Sequence, residues 1–321
     1  MNISLGRRIY RQYGIYILFV ALFVILSIFG DNFLSISNIT NIMRQVSVYA
    51  ILGFGMTFVM ISGRIDLSVG SILALSGCVS AVVIQKGQAA GLSNWICVWL
   101  AVISSLLVGC LCGLINGLCI AKLKVPFFIT TAGMMYAASG IALVITKENP
   151  IALPDEYQLF GGKTIGIIPS QFIIAVGFFI LCFIILNHTK MGRYTYAIGS
   201  NERTAKLSGI NVDKYVILIF LLNGLCAALA GIIVASRGRL GSPLVGSGYE
   251  IYAVAAAAIG GTSLAGGEGT LQKTVVGALV LTIIGIGLNI LGISQSNQKI
   301  IIGVIMMVVV ALDMWDRRRQ D

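Results

Sequence analysis

The chain has 321 residues, of which 57% are hydrophobic and only 11% charged, and its mean hydropathy is +0.95. Soluble domains carry about 25% charged residues, so this composition excludes a water-facing globule and leaves lipid as the solvent. The formal charge of +10 arises from 22 Lys and Arg against 12 Asp and Glu; the cations fall in short connections between apolar runs, which points to membrane topology and anionic lipid rather than to nucleic acid.

Arg7, Arg8 and Arg11 precede an apolar run from Ile15 to Phe29. The pattern resembles a signal peptide, but Gly30-Asp31-Asn32-Phe33 offers no small-residue cleavage site, so an uncleaved first helix is expected. A span needs about 20 mostly apolar residues. The segments that fit are 15–30, 46–62, 68–84, 95–121, 126–146, 168–187, 215–236, 249–265, 274–292 and 298–312, an all-α membrane protein of about ten helices. The length suits a single membrane domain over 1–321. With the N-terminus inside, the inner loops hold 15 of the 22 basic residues and the outer loops 7, so both termini are predicted inside. The longest outer loop is 147–167, with Pro150, Pro154, Asp155 and Glu156, and the longest and most charged inner loop is 188–214. Residues 313–321 form a cytoplasmic tail. The 38 glycines suit helices that pack closely and unwind locally. The seven cysteines all lie in apolar segments without a Cys-x-x-Cys pair, and read as packing residues rather than a disulfide framework or metal site.

Three stretches interrupt the apolar pattern. The first, Ser62-Gly63-Arg64-Ile65-Asp66-Leu67-Ser68-Val69-Gly70-Ser71, puts two charges between apolar runs. A charge at mid-membrane costs roughly 2.5–3.5 kcal/mol, so Arg64 and Asp66 sit at an interface or face protein and water. Two readings stay open: a broken, pathway-lining element, or a tight hairpin at the inner interface in which Asp66 caps the next helix. In the second, Asn201 can cap a helix that Gly209 ends, giving about two turns over 199–210 with Ala205 and Leu207 among charges. Such a helix outside the bilayer is either a docking plug for a cytosolic partner or a solvated linker. The third runs through Gly246-Ser247-Gly248-Tyr249-Glu250, where Glu250 marks the outer end of a span, to the Gly-rich break Thr262-Ser263-Leu264-Ala265-Gly266-Gly267-Glu268-Gly269 on the inner face. No Lys-Ser/Thr follows it, as a phosphate loop would require. Gly162-Lys163-Thr164 fails the same pattern, because Tyr157 stands where a glycine is needed. No ATP site, metal cluster or catalytic set is expected, and His188 is the only histidine; the chain reads as neither enzyme nor cofactor protein. Within the spans, Asn116, Asn223 and Asn289 must find partners, either other helices or sugar hydroxyls.

These motifs together carry a resemblance. Gly63 to Ser71 is similar to the Gly-Gly-Ile-Asp-Leu-Ser-Val-Gly-Ser stretch of bacterial ABC sugar-importer permeases of the ribose permease type. Gly199-x-Asn201, Ala205 and Ser208-Gly209-Ile210 resemble the same family's cytoplasmic loop, and Gly246-x-Gly248-Tyr249-Glu250 with Gly260-Gly261-Thr262-Ser263-Leu264-Ala265-Gly266-Gly267 resembles its third landmark. The resemblance implies the all-helical permease fold of vitamin B12 importers (type II) in a bacterial cytoplasmic membrane. It implies two permease copies, identical or paralogous, forming one pathway, and a separate cytosolic ATPase that binds the ATP. That ATPase would engage a coupling helix containing Gly199, Asn201, Ala205, Leu207, Ser208 and Gly209. A periplasmic or lipid-anchored binding protein would deliver a monosaccharide, ribose first, docking near Tyr249 and Glu250. Arg64, Asp66, Ser68, Gly70, Asn116, Asn223, Gly266, Gly267 and Asn289 would shape the pathway and its helix breaks. Arg64 stands where the family usually has Gly, Thr204 replaces a frequent Ala, and Tyr252 stands where ribose permeases tend to have Asp, which bears on the choice of sugar. Alternatives are a permease of the same class for another small polar solute, such as a furanosyl autoinducer, and an ion-coupled secondary transporter, which needs an intramembrane carboxylate.

Overall fold

Helix starts and stops follow the capping residues more closely than the hydropathy. The computed structural model describes residues 5–318. After α1 (Leu5–Phe29), Ser35 accepts a hydrogen bond from the Asn38 N–H and starts α2 (Ile36–Ile61), well before the apolar run at 46. The polar residues Asn38, Thr40, Arg44 and Gln45 hide this first part of α2 from a hydropathy reading. α3 (Val69–Ala89), α4 (Asn94–Ala121) and α5 (Phe127–Thr146) follow.

The outer loop is ordered. β1 (Ile151–Ala152) leads into a 3₁₀ turn over Asp155–Phe160, then a small hairpin of β2 (Thr164–Ile165) and β3 (Ile168–Pro169). α6 (Ser170–His188) runs to the opposite end of the bundle, where α7 (Lys190–Ser200) and α8 (Glu202–Leu207) lie before α9 (Val212–Gly238). β4 (Leu240–Gly241) pairs antiparallel with β1, placing Ile151 opposite Gly241. α10 (Tyr249–Ile259), α11 (Leu271–Ile290) and α12 (Gln295–Arg318) complete the chain. Of the expected tail 313–321, residues 313–318 continue α12 and 319–321 lie outside the described residues.

Among the described residues, seven helices are long and apolar enough to span a membrane: α2, α3, α4, α5, α6, α9 and α11. The expected span 249–265 is corrected. α10 has 11 residues, about 16 Å of helix, against a hydrocarbon core of about 30 Å. Gly260 and Gly261 stop it, and Gly261 adopts φ +79°, a conformation that favours glycine.

α2 and α9 form the centre of the bundle, whereas α5 and α6 expose most of their surface. α4 packs on α9 through small residues. A Cβ at Gly109, Gly113 or Gly117 would press on the α9 backbone at Gly224, Phe220 and Ile217 respectively. Cys78, Cys97, Cys112, Cys182 and Cys226 are buried and all seven thiols are free, in keeping with a packing role.

Candidate functional site

Parts of all three polar interruptions, at Gly63, Gly199 and Gly266–Gly267, meet at the C-terminal end of α2. Its last carbonyl, Ile61 O, accepts the Gly267 N–H at 2.8 Å, and the Cα of Gly199 lies so close that a Cβ there would overlap the same oxygen. Gly266, at φ +93°, sits between the Gly199 carbonyl and the backbone of Gly63. Tyr196 of α7 donates its hydroxyl to Gly269 O at 2.6 Å, and burial pushes its phenol above the usual range, so the donor proton is retained. The break after α2, the helix α7 and the Gly-rich loop are thus fastened backbone to backbone.

α8 is mounted on this junction. Asn201 accepts the Thr204 N–H at 2.9 Å as the N-cap, and Gly209 leaves the helix at φ +80°. Both features agree with the sequence reading. Leu207 is 82% exposed and Arg203, Lys206 and Ser208 are also exposed, while Ala205 is only 4% exposed and faces the bundle. Ala205 thus anchors α8 on the bundle from below. Arg64 joins the two sides. Its Nη2 donates to Glu202 Oε2 at 2.8 Å and its Nη1 to the Ser62 carbonyl at 2.7 Å, with the Arg64 side chain 12% exposed.

Asp66 does not lie at the inner interface, and it does not cap α3. Ser68 stands at the N-cap position, and Asp66 turns back on it. Asp66 Oδ1 accepts the Ser68 N–H at 2.8 Å and the Ser68 hydroxyl at 2.5 Å, and Oδ2 accepts Asn223 Nδ2 at 2.8 Å. Asn116 Nδ2 donates to Ser68 Oγ at 2.9 Å. All four side chains are 0% exposed. Asn223 lies near the middle of α9, about 16 Å along the helix from Val212 at 1.5 Å per residue. The break thus carries a carboxyl deep into the bundle and ties it to α9 directly and to α4 through Ser68. These are the partners that the two asparagines were expected to need, supplied by the unwound segment rather than by another helix.

The remaining predicted residues are placed differently. Glu250 stands in the first turn of α10 and faces the first turn of α3. Its Oε1 accepts the Gly248 N–H at 3.1 Å, and its other oxygen lies against Gly70 in the first turn of α3. Tyr249 packs on Tyr49, halfway along α2, with ring centroids 6.1 Å apart. Asn289, exposed at the end of α11, accepts Gln298 Nε2 at 2.7 Å and stands apart from the Asp66 cluster.

Sequence reasoning missed α7, whose cap Thr189 accepts the Met191 N–H, and the packing role of the outer loop. There Tyr157 is fully buried, donates to Ser80 Oγ at 2.5 Å and accepts Ser236 Oγ at its carbonyl at 2.6 Å. Ser80 in turn contacts Ser105 at 2.6 Å, so the loop is sealed onto α3, α4 and α9. Serines inside apolar helices were the available sign, but a lone serine also bonds its own helix, so the sign did not point outward.

Residues 38–310 match the model of a family described as branched-chain amino acid transport system / permease component. The ribose import permease protein RbsC of Escherichia coli K12 is 40% identical over 300 residues, covering 92% of this chain and 91% of the relative. The protein of the same name in Bacillus subtilis is 41% identical over 296 residues, covering 91% and 89%. The L-arabinose transport system permease protein AraH of Escherichia coli K12 is 37% identical over 319 residues, covering 99% and 94%. No solved structure matches the chain.

Proposed function

The chain belongs to the branched-chain amino acid transport system / permease component family, and from that premise we propose that it is the membrane subunit of an ATP-driven importer for a monosaccharide, ribose first. It is a multi-pass permease of the bacterial cytoplasmic membrane. The sugar reading is favoured over an amino-acid one because relatives at 37–41% identity over nearly the whole chain are named for ribose and L-arabinose. Two permease copies of the type II importer fold would enclose one pathway. A cytosolic ATPase would hold the ATP, and a sugar-binding protein would feed the outer mouth.

The observation that carries the reading is the junction beneath α2. α8 offers Arg203, Lys206, Leu207 and Ser208 to a cytosolic partner while Ala205 clamps it to the bundle. A push on α8 passes through the Glu202–Arg64 pair and through Gly199 to Ile61, then into the break at 62–68. Because Asp66 holds that break to Asn223, the force reaches the middle of α9. Work is transmitted only if the ATPase binds the two arrangements of this junction with different affinity. Cysteines placed at Leu207 and Ser208 are expected to cross-link to the ATPase, and uptake by the reconstituted protein is expected to need both the ATPase and the binding protein.

A second reading rests on Asp66 itself. A fully buried carboxyl near the middle of a spanning helix is what an ion-coupled transporter requires. Uptake by the purified chain alone, driven by a proton or sodium gradient and abolished in Asp66→Asn, would select it over the ATP-driven reading.

A further inference from the structure

Tyr49 lies halfway along α2, about 18 Å from its inner end at 1.5 Å per residue. Tyr252 of α10 stacks on it face to face, with ring centroids 4.6 Å apart and planes 5° from parallel. Tyr249 closes the group, tilted against both rings at 6.1 Å and 6.3 Å. Gln45 holds the buried Tyr49 by donating Nε2 to its hydroxyl at 3.0 Å, while Gln45, Tyr249, Glu250 and Tyr252 all stay partly exposed. A partly exposed carboxyl and amide at this depth are costly against hydrocarbon. The face that carries them is therefore suited to water or a polar solute. Aromatic rings supply broad apolar contact together with a polar tip. A sugar ring has the matching surface, a C–H face rimmed by hydroxyls, and beside the tyrosines Gln45 and Glu250 supply polar groups that hydroxyls can meet.

We propose that Tyr252 stacked on Tyr49, flanked by Tyr249 and Glu250, is a way-station on the translocation route at which a monosaccharide ring lies against an aromatic face. The proposal rests on the sugar-import reading above. It is tested in proteoliposomes holding the whole complex with its ATPase and binding protein, measuring radiolabelled ribose taken up per ATP hydrolysed. Tyr252→Leu is expected to lower that ratio about tenfold, in the range lost when one apolar contact is removed, while ATP hydrolysis stimulated by the loaded binding protein stays unchanged. Tyr252→Phe keeps the ring and is expected to retain most of the uptake. A wild-type ratio in Tyr252→Leu, or equal losses in the Leu and Phe variants, overturns the way-station and leaves the sugar permease standing. Absence of uptake of ribose, L-arabinose and D-allose by the wild-type complex instead removes the sugar reading, and this site with it.

Discussion

Asp66 shows how one side chain can organise an unwound segment. Its carboxyl collects two donors from Ser68 and one from Asn223, each otherwise stranded in a dry interior. Asp66→Ala leaves these donors unpaired and is expected to cost roughly 1–3 kcal/mol, read as a lower melting temperature of the protein in detergent. Asp66→Asn keeps the shape, and the Asn223 amide, whose Oδ1 has no partner, can flip to accept from it. That variant is expected to melt close to the wild type; a loss as large as that of the alanine would show that charge rather than hydrogen bonding holds the break. Tyr196→Phe removes the hydroxyl that meets Gly269 O. Its expected cost is about 1 kcal/mol, with faster proteolysis around 262–269 as the measurement.

At the scale of elements, the junction depends on backbone approaching backbone. Gly199→Ala would drive a methyl group into the Ile61 carbonyl, so α7 must move off α2. Sugar uptake is expected to fall about a hundredfold, as for small misplacements in tightly coupled machinery, while the ATPase subunit still binds; unchanged uptake would show that the contact transmits nothing. The Arg64–Glu202 pair is partly exposed and so worth only about 0.2–1 kcal/mol. Arg64→Glu is expected to slow uptake a few-fold, and adding Glu202→Arg to restore it. Failure of the double variant to recover would assign Arg64 its role through the Ser62 carbonyl instead.

Across the whole molecule, the polar ends face opposite ways. α8 stands out on one side with Leu207 exposed, and the β2–β3 hairpin stands out on the other with Ile165 68% exposed. In intact cells Ile165→Cys is expected to react with an impermeant thiol reagent and Leu207→Cys only after the membrane is opened. The reverse result would turn the molecule over and detach α8 from any cytosolic motor. The crevice between α4, α6 and α9, about 380 Å³ and lined by Leu106, Phe178 and Leu225 among others, is apolar throughout and offers no partners to a polar solute.

By itself the sequence determined the membrane class, most of the helices, the cap at Asn201, the stop at Gly209 and the three motifs that carry the family. These rest on composition, spacing and local hydrogen bonding, which a linear reading contains. Only the tertiary structure decided where those motifs go. A lone charge is costly in hydrocarbon, so the sequence left Asp66 either at an interface or facing protein and water and put Glu250 at the outer end of a span; the bonds these carboxyls make come from Ser68 and Gly248, two residues away along the chain, and from Asn223, far along it. The sequence placed Ala205 among charges without saying which way it faces, and the fold turns it inward because α8 has a bundle to rest on. Burial and partnership are properties of the packed assembly, so residues whose cost is offset by a neighbour far along the chain are those a sequence places least well.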